Sequence, residues 1–134
     1  NLKVRKNMKN FNILNMTKST LPNVPFAKIK DEILGKKYEL SLVFCGNRKS
    51  KELNKIYRDK DYTPNVLSFP LDKNSGEIFI NPHVAKKEAP KFSKNYTNFV
   101  GFLFIHGCLH LKGMEHGSTM DKAEEKFCKE FRIS

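Results

Sequence analysis

A chain of 134 residues with 39% apolar content can bury a real core as one domain, residues 1–134, without help from disulfides or a structural metal. Its three cysteines, Cys45, Cys108 and Cys128, form no C-x-x-C pair, which argues against a secreted disulfide scaffold and for a reducing, cytoplasmic setting, and no apolar run is long enough to span a bilayer. Twenty-five Lys+Arg against 14 Asp+Glu give a net charge of +11, with no acidic residue before Asp31, a balance that suits a polyanionic partner, RNA or DNA ahead of a membrane.

Taken in order, the chain alternates strands and helices, which predicts an α/β (α+β) domain with a mixed sheet of about four strands packed against helices. Residues 1–10 are basic and polar and read as a weak opening, followed by a first strand over 11–16. Phe26, Ile29, Ile33 and Leu34 recur at helical spacing, and Gly35 is placed to end that helix. Residues 38–45 alternate and then become apolar throughout, as a half-buried to buried strand does. A basic helix over 49–57 is expected to bury Leu53, Ile56 and Tyr57. Two short strands, 66–69 and 77–80, flank a loop rich in Asn, Ser and Gly. Pro82 opens a short helix to residue 88, residues 99–112 form a central buried helix, and Ser118 is expected to cap a last helix through 132 with Asp121 at the capping-box position.

The central helix ends by presenting histidines. His106 and His110 are four residues apart, so both imidazoles leave one helix face with Cβ atoms roughly 5–6 Å apart, a spacing that can grip one ion. Gly113 breaks the helix, and beyond it His116 can return from a loop as a third ligand. Alone, an i,i+4 pair is as readily a satisfied core pair as a ligand pair. A third histidine within eleven residues, on a helix too apolar to hold uncompensated polar rings cheaply, decides for metal. Three neutral imidazoles leave one tetrahedral position open, the mark of a catalytic rather than a structural zinc site. Cys108 lies about 200° around the helix from His106 and is a small core residue rather than a fourth ligand.

The segment His106-Gly-Cys-Leu-His110-Leu-Lys-Gly113-Met-Glu-His116 resembles the signature of the YbeY family, bacterial single-strand-specific endoribonucleases of ribosomal RNA maturation. A second block, Leu53-Asn-Lys-Ile-Tyr-Arg58-Asp-Lys-Asp61-Tyr-Thr-Pro64-Asn-Val-Leu-Ser-Phe-Pro70, is similar to the family's other characteristic segment, and Gly76-Glu-Ile-Phe-Ile80 to its next strand. The resemblance covers roughly residues 53–116. It implies an α/β fold with a mixed sheet, one Zn2+ per chain on His106, His110 and His116, and a role for Arg58 in a basic cleft. It also implies action on single-stranded ribosomal RNA with the small ribosomal subunit as partner, in 3′-end processing and ribosome quality control. Two positions depart from the family pattern, Asn65 and Glu115, each where Asp is usual.

A metal on three neutral histidines keeps its full charge, so it can lower the pKa of a water and stabilise charge on a phosphoryl oxygen. Arg58 would then clamp a phosphate through its planar fork; its plain structural alternative is a surface ion pair with Asp59 or Asp61. Ser68, on an otherwise apolar strand, either donates to substrate or satisfies a backbone group. Two other functions fit parts of the pattern. The histidine spacing is that of a metzincin protease, but Gly107 stands where such an enzyme needs its Glu base. A non-catalytic RNA- or ribosome-binding module would use the metal only to pin its C-terminal helices.

Overall fold

The computed structural model describes residues 4–134. In chain order the elements are β1 (Val4–Met8), β2 (Phe11–Asn15), α1 (Phe26–Leu34), β3 (Glu39–Phe44), α2 (Asn47–Arg58), β4 (Val66–Asp72), β5 (Ser75–Ile80), α3 (Pro82–Glu88), a short 3-10 turn (Ala89–Phe92), α4 (Tyr96–Leu111) and α5 (Ser118–Glu130). The strands form one mixed sheet in the order β1-β2-β3-β5-β4. β2, β3 and β5 run parallel, while β1 and β4 are antiparallel edge strands joined to their neighbours by hairpins.

The fifth strand is a correction to the four expected. β1 lies in the basic, polar opening, where no apolar alternation announces a strand. As an edge strand it pairs on one side only. Residues 1–3 of that opening lie outside the described residues.

One face of the sheet carries the core. Phe11, Ile13, Leu40, Leu42, Phe44, Ile78 and Ile80 alternate inward along β2, β3 and β5 and are buried beneath α1 and α4. Phe104 of α4 sits between the two layers, its ring 5.1 Å from Phe26 and 6.1 Å from Phe11. α4 is apolar nearly all round, as a helix at the centre of a core must be. It begins at Tyr96, three residues earlier than the apolar run suggests, because the Asn95 side chain accepts the Asn98 N–H and caps it. At its other end Gly113 takes φ +104, and the Gly113 and Met114 amides donate to the His110 and Leu109 carbonyls at 2.9 and 3.0 Å, the Schellman closure that lets the chain turn back toward the histidines.

Two helices differ from expectation. α2 buries Ser50, Leu53 and Asn54, while Ile56 and Tyr57 are 64% and 67% exposed. The stripe is rotated because Asn54 is the residue turned inward: its amide donates to the Tyr62 carbonyl at 3.0 Å and secures the following loop. α5 is capped by Gly117 rather than Ser118. With Gly117 at φ +155 its carbonyl accepts from Asp121 N–H at 3.0 Å, Ser118 becomes the first helical residue, and no capping box forms. No described helix is long and apolar enough to cross a membrane.

Candidate metal centre

α4 brings His106 and His110 to one face, and the turn after Gly113 carries His116 back over them. The three rings are 4.5, 5.2 and 4.8 Å apart by centroid, and one nitrogen from each can be chosen so that all lie within 4.8 Å of one another. The expected ligand set is therefore a spatial cluster.

The hydrogen bonds behind the rings determine what it can hold. The His110 Nδ1–H donates to the Met114 carbonyl at 3.0 Å, a carbonyl that the Schellman turn aims inward. The His106 Nδ1 bonds the carboxylate of Glu124 on α5. With both Nδ1 atoms committed as donors, both Nε2 atoms present lone pairs, and these face each other at 3.1 Å. Two acceptors at that distance repel unless a cation lies between them, so the donor set fits a metal ion. Burial and the neighbouring His106 ring hold His110 below the ordinary imidazole range despite the opposing bond to Met114, and this lowering favours the neutral ring that a metal requires.

Glu124 escapes the sequence reading. Its signal was a carboxylate on the same helix stripe as Met120, Ala123 and Phe127, where an acid needs a partner. The arrangement of carboxylate, histidine and cation is the usual way a protein fixes a ligating imidazole in one tautomer and orientation.

The histidines form one wall of a cleft of about 280 Å³ whose other lining residues are Arg58, Val66, Leu67 and Ser68. Arg58, the last residue of α2, donates to Asn54 Oδ1 at 3.2 Å. The expected alternative partners are engaged elsewhere, Asp59 with Lys55 and Asp61 with Lys51, so among the described residues Arg58 has no carboxylate partner. The Ser68 hydroxyl donates to the Gly107 carbonyl at 3.3 Å, satisfying a backbone group while lining the cleft. β4 is an edge strand. The Asn81 N–H donates to the Asn65 carbonyl at 2.9 Å, and ladder alternation from that pair turns the main-chain groups of Val66 and Ser68 outward, toward the cleft.

Gly107 decides which hydrolase chemistry the cleft admits. A Cβ there would lie 3.0 Å from Ile78 Cδ1 and 3.2 Å from Ser68 Oγ, so α4 packs closely on the sheet at a residue that itself offers no side chain. No carboxylate lines the cleft among the described residues. Of the two departures from the family pattern, Asn65 donates to Glu88 Oε1 at 2.7 Å, a bond that an Asp would replace with two facing carboxylates. Asn65 and Glu88 therefore match each other. Glu115 is exposed.

Residues 3–133 match the family model described as endoribonuclease YbeY. The endoribonuclease YbeY of Staphylococcus carnosus is 35% identical over 75% of this chain and 71% of its own length. That of Alkaliphilus metalliredigens is 36% identical over 66% and 67%. That of Mycoplasma mycoides is 35% identical over 63% of this chain, which spans only 58% of that relative. The solution structure of TM1509 from Thermotoga maritima is similar with a TM-score of 0.57 and 26% identity, covering 80% of this chain and 81% of that one.

Proposed function

Since the chain belongs to the endoribonuclease YbeY family, we propose that it is a zinc-dependent, single-strand-specific endoribonuclease of the cytoplasm that matures ribosomal RNA, acting at the 3′ end of the small-subunit RNA and in ribosome quality control. One observation carries the reading: the two Nε2 atoms that face each other and His116 line the same small cleft as an arginine without a carboxylate partner.

His106, His110 and His116 would hold one ion per chain, and three imidazole nitrogens suit zinc better than the hard cations that prefer oxygen. When bound, the metal supplies Lewis acidity toward a phosphoryl oxygen and makes water more acidic. The remaining work falls to the chain's own groups. Arg58 donates two hydrogen bonds to the oxygens of a phosphate and stays charged throughout. The outward amides of Val66 and Ser68 donate to the RNA backbone along the β4 edge, positioning the strand against the histidines. Glu124 and the Met114 carbonyl keep His106 and His110 from rotating.

Gly107 weighs against peptide hydrolysis, because neither it nor any other residue lining the cleft offers a carboxylate base. The test is elemental analysis coupled to cleavage of a single-stranded and a duplex RNA by native and chelator-treated protein. We expect about one zinc per chain, cutting of the single strand only, loss of cutting on chelation, and loss of the metal in the triple alanine variant of the three histidines. RNA binding without metal-dependent cleavage would leave a binding module whose metal is structural.

A further inference from the structure

We propose that Tyr57, seated on Phe69, is the platform on which an unpaired base of the RNA stacks while Arg58 holds a phosphate of the same strand; the inference rests on the endoribonuclease reading. Tyr57 was expected to be core and instead stands 67% exposed, with Ile56 beside it at 64%. Both lie beside Arg58 in sequence, the residue by which α2 reaches the cleft.

The ring is supported from below. Its centroid lies 5.3 Å from that of Phe69 at 54°, and Phe69 lies 5.9 Å from Phe79 at 62°, so three aromatics in series restrain Tyr57 and leave much of it open. A restrained ring loses little rotamer freedom when a base settles on it. The platform is tied to the cleft through its arginine. Arg58, which lines the cleft, is the next residue after Tyr57 on α2, while Phe69 lies on the face of β4 opposite Ser68, which bonds to α4.

Charge selects the occupant. α2 carries Arg48, Lys49, Lys51, Lys55 and Arg58 against the single acid Glu52. Its ion pairs are long, at 3.5–3.8 Å, and exposed, so they yield readily to phosphates. An aromatic face amid basic side chains is how proteins bind single-stranded nucleic acid, because every base has a π-face to offer once it is out of a duplex. Preference for single strands then originates here, since a paired base is already stacked on its neighbours.

The test uses the zinc-loaded full chain and a ten-nucleotide single-stranded RNA carrying one 2-aminopurine, read in stopped flow before cleavage by anisotropy and by quenching of the base fluorescence. Tyr57→Ala and Tyr57→Leu should bind roughly 5- to 150-fold more weakly and lose the quenching, while Tyr57→Phe should keep both within about twofold. Leucine preserves apolar cover over Phe69, and equal melting temperatures across the set exclude misfolding as the cause. If Tyr57→Leu binds and quenches like the wild type, the platform is overturned and the surface suits a protein partner instead. If the wild type binds no RNA, the endoribonuclease reading fails and the platform with it.

Discussion

Removing the Glu124 carboxylate should loosen the metal without unfolding the protein. The bond from His106 lies largely out of water, with side chains 19% and 13% exposed, so it belongs among charge-assisted hydrogen bonds of about 1.5–3 kcal/mol rather than among surface pairs. Gln at 124 still offers an oxygen to the Nδ1–H and keeps the ring oriented but contributes no charge. About tenfold weaker zinc binding is expected. Ala removes both effects and frees the ring to turn its Nε2 away from that of His110, now 3.1 Å distant, so the loss should approach a hundredfold. Zinc affinity is measured by competition with a fluorescent chelator, and the His106 tautomer by nitrogen-15 NMR on metal-free protein, where wild type should show the proton on Nδ1 and Glu124→Ala a mixture. Glu125→Ala, altering the exposed neighbour, is the control. Wild-type affinity and an unchanged tautomer in a folded Glu124→Ala protein would refute the reasoning.

Arg58→Ala should slow single-turnover RNA cleavage about ten- to a hundredfold, the value of one charge-assisted contact, with Arg58→Lys recovering part; wild-type cleavage by a folded, zinc-loaded alanine variant removes Arg58 from the site. Gly107→Ala sets overpacking of about 1–3 kcal/mol, from contacts at 3.0 and 3.2 Å, against about 1 kcal/mol of helix propensity, so chemical denaturation should show a net loss of up to about 2 kcal/mol. Gly107→Glu should lose more stability than Gly107→Ala, and a glutamate variant as stable as the wild type would show that Ile78 and Ser68 yield freely. Burial pushes the Cys108 thiol far above its ordinary 9.0. Below pH 9 the thiol is neutral in both states; above it the unfolded chain ionises first, so stability falls as pH rises, and an identical urea midpoint at pH 8 and pH 10 would contradict this.

The histidine cluster was legible because its chemistry is written in local spacing: a helical pair, a glycine break and a third ligand within eleven residues. The central strand β3 was legible for a similar reason, since burial on both sides leaves the unbroken apolar run Leu42–Phe44. What the sequence concealed depends on distant partners. β1 is defined by pairing with β2 and carries no apolar alternation of its own. Tyr57 has the periodicity of a core residue, yet α2 turns Asn54 inward and leaves Tyr57 on the outside. Glu124 is one of several acids on α5 until the fold sets it against His106, 18 positions earlier.

α5 docks through Met120, its one buried residue, with Ala123, Phe127 and Cys128 partly covered, and the bond from Glu124 adds a polar tie to His106 of α4. An ion held by His106, His110 and His116 would tie the turn that leads into α5, so by mass action each tenfold excess of metal over its dissociation constant would raise the cost of opening that segment by about 1.4 kcal/mol. The lifetime of this segment against a protease would then report how much metal surrounds the protein.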